Sequence, residues 1–184
     1  YGKGLGSLSA SRNTVLDCGN SGTLARLLVG ILSTTPNIHV KIKGDKSLNK
    51  RDMSKLIQSM SEFGAEFIPK NKKHFPLNLI SSEIPVAIDY IAGNSAQIKS
   101  AVILAGLNSF GNTKIIEKQK TRDHTENILL NNSKSIEIKK KKNLIKVLGK
   151  KSLNKTNMKV PSDPSSAAFF AAMCLLNKKS AIKI

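Results

Sequence analysis

The stretch LDCGNSGTLARLLVGIL, residues 16–32, decides the fold. Its Gly19-Asn20-Ser21 turn opens an apolar run that continues to Leu32. Asn20 or Ser21 can cap a helix over residues 22–33, because a short polar side chain satisfies backbone N–H groups that lack partners in the first turn. Further along, Gly93-Asn94-Ser95 opens a second apolar run to Leu107, and Ser95 can cap a helix over residues 96–107. Each run is followed by a β-like segment, residues 38–42 and 113–116, and then by an Arg-Asp pair, Arg51-Asp52 and Arg122-Asp123. A second amphipathic helix comes next. Its apolar positions are Met53, Leu56, Ile57, Met60 and Phe63 in the first copy, and Ile128, Leu129 and Leu130 in the second. Residues 65–68 and 135–138 then close the copies as strands.

The unit is therefore strand, Asn-Ser turn, helix, strand, Arg-Asp turn, helix, strand. It repeats at about 70 residues, too long for the common solenoid periods. A third copy begins at Asp163-Pro164-Ser165-Ser166, with a helical run over residues 167–176 and a β-like end at residues 181–184. Asp163 or Ser165 can cap that helix, with Pro164 tolerated in its first turn. Asn49 and Thr121 stand ready to cap helices that carry Arg51 and Arg122 in their first turns. The reading is an α/β protein of repeated units, with helices and sheets in layers. The pattern is expected to continue beyond both ends of the chain.

Composition narrows the function classes. Thirty Lys and Arg face twelve Asp and Glu, a net charge of +18, which raises the possibility of nucleic-acid binding. Most of that charge is Lys scattered along the chain, and aromatics are only 4% with no Trp, so base-stacking platforms are few. A solvated basic surface is the simpler account. No apolar run approaches the ~20 residues of a membrane span. Residues 1–11 lack the succession of a secretory leader, and Cys18 and Cys174 lie far apart inside apolar segments, which suits buried reduced thiols and a cytoplasmic location. His39, His74 and His124 are isolated, so no metal-ligand spacing arises, and neither a phosphate-binding P-loop nor a Gly-x-Ser-x-Gly elbow occurs.

The repeated turns point to anions. A helix N-terminus presents free N–H groups and the positive end of the dipole together. Around Gly19-Asn20-Ser21-Gly22-Thr23, glycines allow close backbone approach and small polar side chains add donors. Alone, such a turn is more often a plain cap. Arg51 and Arg122 strengthen the case, because a cation at a helix start is disfavoured unless an anion is shared between them. Gln97 lies near the second helix start and can face the same site, whereas Lys99 could equally be a surface residue.

Five blocks in order resemble the 5-enolpyruvylshikimate-3-phosphate synthase family. They are residues 16–32, GDKSLNKRDM (44–53), SAQIKSAVILAGL (95–107), KTRDHTENIL (120–129) and VPSDPSSAAFFAA (160–172). The resemblance implies the family's inside-out barrel of βαββαβ units. Residues 1–159 would form most of one substrate-binding domain, and 160–184 the start of the return into the other. It implies transfer of the enolpyruvyl group of phosphoenolpyruvate to the 5-hydroxyl of shikimate 3-phosphate, with release of phosphate and without cofactor or metal. Asn20, Gly22, Arg51 and Gln97 fall where the family holds phosphoenolpyruvate. Ser95, Ala96, Gln97, Thr121, Arg122 and His124 fall where it holds shikimate 3-phosphate.

By the same resemblance, Arg26 is structural support or a charge behind the site. Gly22 is the position where Ala in some members excludes the inhibitor glyphosate. Asp52 replaces a common Pro and Ser162 a common Gly. No acid or base for proton transfer is expected among these residues, so the 184-residue chain alone is expected to show little turnover. The partners implied are the two small substrates, with no nucleic acid and no membrane, and a monomeric enzyme. A related family acting on uridine-diphosphate N-acetylglucosamine shares the repeat, but it places a reactive Cys on a mobile loop, and the TRDHTE block (residues 121–126) argues against it.

Overall fold

The computed structural model describes residues 2–160, 162–177 and 179–183. The chain divides into two compact units, Tyr1–Asn154 and Lys155–Ile184. The first unit carries the two copies. Copy one runs β1 (Thr14–Asp17), α1 (Gly22–Ser33), β2 (His39–Lys43), α2 (Ser54–Glu62), β3 (Glu66–Ile68) and β4 (Leu77–Ile80). Copy two runs β5 (Asp89–Ala92), α3 (Ala96–Leu107), β6 (Asn112–Glu117), α4 (His124–Asn132), β7 (Ile136–Lys139) and β8 (Leu144–Leu148). Each forms its own four-stranded sheet, in the orders β1-β2-β4-β3 and β5-β6-β8-β7. The first two strands of each sheet are parallel, joined through α1 or α3, and the others pair antiparallel.

The α/β class and the duplication hold, and the long helices fall on the residues their caps indicate. Ser21 Oγ accepts from Leu24 N at 3.1 Å and Ser95 Oγ from Ile98 N at 3.3 Å. Each copy has one more strand than the pattern displayed, giving the order β-α-β-α-β-β. β4 and β8 sit at the centre of their sheets, and their short alternating runs follow polar Lys-rich turns that mask them in the sequence.

Two helix starts differ from expectation. Arg51 lies in extended backbone (φ −72°, ψ 136°) after a 3₁₀ turn over Leu48–Lys50, three residues before α2. Arg122 is in the coil before α4. The cause is local: Asp52 Oδ1 accepts from Ser54 N at 2.7 Å and holds that carboxyl below its ordinary pKa, so the helix begins after it. Asn49 instead clamps Gly44, with bonds of 3.0 Å to its N–H and 2.9 Å to its carbonyl.

The helices form the core and the sheets cover them. α3 is buried nearly all round, against α1, α2, α4 and strands β5, β6 and β8, which matches its lack of a polar face. The strands alternate, with Val40 and Ile42 inward while His39 and Lys41 face out. Lys99 is not at the surface. It is fully buried in α3, 2.8 Å from Glu117 and 2.5 Å from Glu126. Burial alone would lower its pKa, but the hydrogen bonds to the two carboxylates outweigh that and hold it above its ordinary value.

α1 and α3 run parallel and meet at a fixed offset of 71 residues. Arg26 Nη1 donates to Gln97 Oε1 at 2.7 Å, and Thr34 Oγ1 donates to the Ala105 carbonyl at 3.2 Å. Between them, Gly30 lies on the Ala101 backbone, where a Cβ would come within 2.6 Å of the Ala101 oxygen. In the second unit, α5 (Pro164–Leu176) is capped by Asp163, which accepts from Ser165 N at 2.9 Å. Residues 181–183 form no strand, and Ile184 lies outside the described residues. Both cysteines are free; Cys18 is buried, whereas Cys174 is only half-buried. Among the described residues no helix is long and apolar enough to cross a membrane.

Two outcomes follow from this packing. Gly30→Ala should destabilise the protein by about 1–3 kcal/mol through overpacking against main chain, lowering the melting temperature by about 2–4 °C per kcal/mol. An unchanged melting temperature by circular dichroism would contradict the close approach. Asp17 accepts from Gly19 N and pairs with Lys43, and that backbone bond first, then Lys43, depresses its pKa. A depressed folded-state pKa gives stability that is present above the unfolded value of about 4 and lost as pH falls through the folded one. Thermal melts between pH 5.5 and 3 should therefore fall less steeply for Asp17→Asn than for the wild type.

Candidate anion-binding site

The parallel packing places the starts of α1 and α3 side by side. Gln97, in the first turn of α3, accepts from Arg26 and donates through Nε2 to Thr23 Oγ1 at 2.7 Å. The loop after β2 folds onto the turn before α1. Asp45 N donates to the Gly19 carbonyl at 2.8 Å, and a Cβ on Gly44 would sit 2.7 Å from that same oxygen. Gly19 itself has φ +53°, a conformation that favours glycine. Arg51 is thereby carried over the Asn20 turn, with Nη2 3.3 Å from Asn20 Oδ1. His74 Nδ1 meets the Arg51 carbonyl at 3.0 Å and helps fix its backbone.

Gly22, the first residue of α1, lies between two guanidinium groups. A Cβ there would be 2.7 Å from Nη1 of both Arg26 and Arg51. Neither arginine takes part in an ion pair among the described residues. Burial, and after it the Arg51 charge, lowers the Arg26 pKa below its ordinary value. An arginine does not deprotonate under such pressure. Two unneutralised cations at a helix N-terminus instead form a cradle for an anion.

A second recess, of about 280 Å³, opens at the α3 start. It is lined by Asn94, Ala96, Gln119, Lys120, Thr121 and Arg122. Thr121 is tethered through its N–H and Oγ1 to Glu117 Oε1, at 3.4 and 3.3 Å. Of the residues singled out by sequence, Asn20, Gly22, Arg51 and Gln97 gather in the first cluster, and Ala96, Thr121 and Arg122 in the second. Ser95 uses its hydroxyl as the α3 cap and lines a separate cleft beside Tyr90 and α2. His124 is the exposed first residue of α4 and does not line the recess.

Arg26, expected behind the site, faces Gly22 directly; Thr23, part of the expected anion turn, bonds Gln97, and Lys120, which the sequence does not single out, lines the second recess. A signal for Arg26 was present: it is the one cation of GTLARLLVGILS and lies one turn from Gly22. Among the described residues no group of three or more His, Cys, Asp or Glu side chains could hold a metal ion.

Comparison with known proteins agrees with this geometry. The family profile described as EPSP synthase (3-phosphoshikimate 1-carboxyvinyltransferase) matches residues 2–184. A 3-phosphoshikimate 1-carboxyvinyltransferase of Ruegeria sp. is 38% identical over all of this chain and 41% of its own length. That of Paracoccus denitrificans is 41% identical over all of this chain and 42% of its own. The solved EPSP synthase of Acinetobacter baumannii superposes with a TM-score of 0.78 at 36% identity, covering 92% of this chain and 38% of that one. The chain thus spans about two fifths of the relatives it matches, and these names favour the shikimate family over the uridine-diphosphate N-acetylglucosamine one. With the duplicated helix starts and their paired guanidinium groups in place, this chain belongs to the EPSP synthase family.

Proposed function

We propose that this chain supplies one wall of an active site that transfers the enolpyruvyl group of phosphoenolpyruvate to the 5-hydroxyl of shikimate 3-phosphate. The observation that carries the proposal is Gly22 held between the Arg26 and Arg51 guanidinium groups, with no carboxylate among the described residues in ion-pair distance of either. Both substrates carry a phosphate and a carboxylate, and preorganised cations and helix N-termini are the groups that stabilise them and the phosphate that leaves. In this reading Asn20, Gly22, Arg26, Arg51 and Gln97 hold phosphoenolpyruvate. Ala96, Gln97, Thr121 and Arg122 hold the phosphorylated ring, with Ser95 and His124 at its margin.

Gln97 joins the two clusters, since it bonds Arg26 and Thr23 while its neighbour Ala96 lines the second recess. The residues of this wall bind and orient; the attack of the 5-hydroxyl, protonation of the methylene carbon and expulsion of phosphate need an acid and a base that this wall does not offer. Residues 160–184 begin the return into the second domain of the enzyme. The enzyme works as a monomer in the cytoplasm on small molecules, without nucleic acid or membrane. The free thiols and the Lys charge spread over strands and loops support this.

Titration calorimetry on the intact enzyme tests the reading. Arg51→Met should weaken phosphoenolpyruvate binding roughly tenfold to a hundredfold, the worth of one charge-assisted contact of about 1.5–3 kcal/mol. Equal affinity in the variant and the wild type would remove Arg51 from the site. Gly22→Ala should fold normally, because the added methyl meets only the movable ends of two arginines. It should still raise the inhibition constant for glyphosate, which requires that space, and an unaltered constant would show that the inhibitor sits elsewhere.

A further inference from the structure

We propose that Lys99 is a positioning residue for the loop that carries Thr121 and Arg122, clamping both ends of that loop from inside the core. The loop, residues 118–123, leaves β6 at Glu117 and enters α4 at His124. Among the described residues, positions 118–122 make no backbone–backbone hydrogen bond, and Thr121 is the sole half-buried member of the loop. The matching loop of the first copy is held differently. There Leu48 and Met53 are buried, Asp45 binds the Gly19 carbonyl, and Asn49 closes on Gly44.

In the second copy the ion cluster replaces that apolar and backbone anchoring. Glu117 fixes Thr121 through two hydrogen bonds, and Lys99 fixes Glu117 at 2.8 Å. Lys99 also holds Glu126, in the first turn of α4, at 2.5 Å. The Glu126 carboxylate is 1% exposed and neither of its oxygens has a hydrogen-bond donor in good geometry among the described residues, so its compensation is the ion pair with the Lys99 ammonium. Next to it, Thr125 Oγ1 donates to Ser100 Oγ at 2.8 Å and ties α4 to α3 a second time. One ammonium between two carboxylates thus fixes both stems of the loop relative to α3, whose first turn carries Ala96 and Gln97. Removing it leaves a buried Glu126 carboxylate uncompensated beside the half-buried Glu117, two like charges that repel each other and push the stems apart.

This inference rests on the proposed substrates only for its kinetic arm. The test uses the intact enzyme with Lys99→Met, Lys99→Arg and Glu126→Gln. Hydrogen exchange read by mass spectrometry should accelerate at residues 118–123 in Lys99→Met, with residues 44–53 unchanged, and Lys99→Arg should restore much of the protection. KM for shikimate 3-phosphate should rise about tenfold while kcat and KM for phosphoenolpyruvate stay within about twofold, as expected when a binding group is misplaced without touching the chemistry. Unchanged exchange at 118–123 would overturn the clamp, and so would a uniform rise in exchange or parallel loss in both KM values and kcat. If Lys99→Met does not fold, Glu126→Gln decides: faster exchange confined to 118–127 supports the clamp, and wild-type exchange there refutes it. If the wild type turns over neither substrate, the proposed function falls, and the exchange data still judge the clamp.

Discussion

Everything in the larger unit hangs on the contact of α1 with α3. A glycine at position 30 lets one helix reach the backbone of the other at Ala101, and no side chain could occupy that space. Close approach lets dispersion act over the whole length of the interface. It also fixes the two helices in parallel, with Arg26 on Gln97 at one end and Thr34 on Ala105 at the other. Near that second end, Asn108 donates to the Thr34 carbonyl and closes the seam. The sheets are then laid on the outside, each with one face on the helices and one in water.

This contact also sets the electrostatics. Two helix starts at one end superpose the positive ends of two dipoles, and the loops after β2 and β6 bring an arginine to each. The chain's net charge of +18 says little by itself, because most of it is dispersed lysine. What distinguishes the site is two guanidinium groups converging on one helix start, with Nη1 of Arg26 and of Arg51 each 2.7 Å from where a Gly22 Cβ would stand and only neutral groups as their hydrogen-bond acceptors. Around Gly22 the nearest side-chain atoms are guanidinium nitrogens, and among the described residues neither arginine has a carboxylate in ion-pair distance.

The parts of the fold legible in the sequence are those governed by local chemistry. Ser21 and Ser95 announce helices at their first residues, because capping is decided within four positions. The start of α2 differs from expectation for the same kind of reason, since Asn49 and Asp52 are both able caps within a few residues and Asn49 is engaged by Gly44, five positions back. Strands β4 and β8 went unseen because four or five alternating residues carry little signal without the partner strands that bury them. Arg26 and Lys99 share a visible oddity, a lone cation inside an apolar helix. Their roles were illegible because Gln97, Glu117 and Glu126 become neighbours only after folding, through long-range contacts or across turns of irregular shape.

The fixed 71-residue offset between α1 and α3 bears on how such a protein can change over generations. Residues added to the segments between these helices lengthen surface turns and leave every contact of the seam in place, at a modest entropic cost. One residue added within either helix would rotate all later positions by about 100° and carry Gly30 off Ala101. Length variation should therefore collect in the lysine-rich connections. The two helices are bound to drift together, as a single inherited piece, although some sixty residues of chain lie between them.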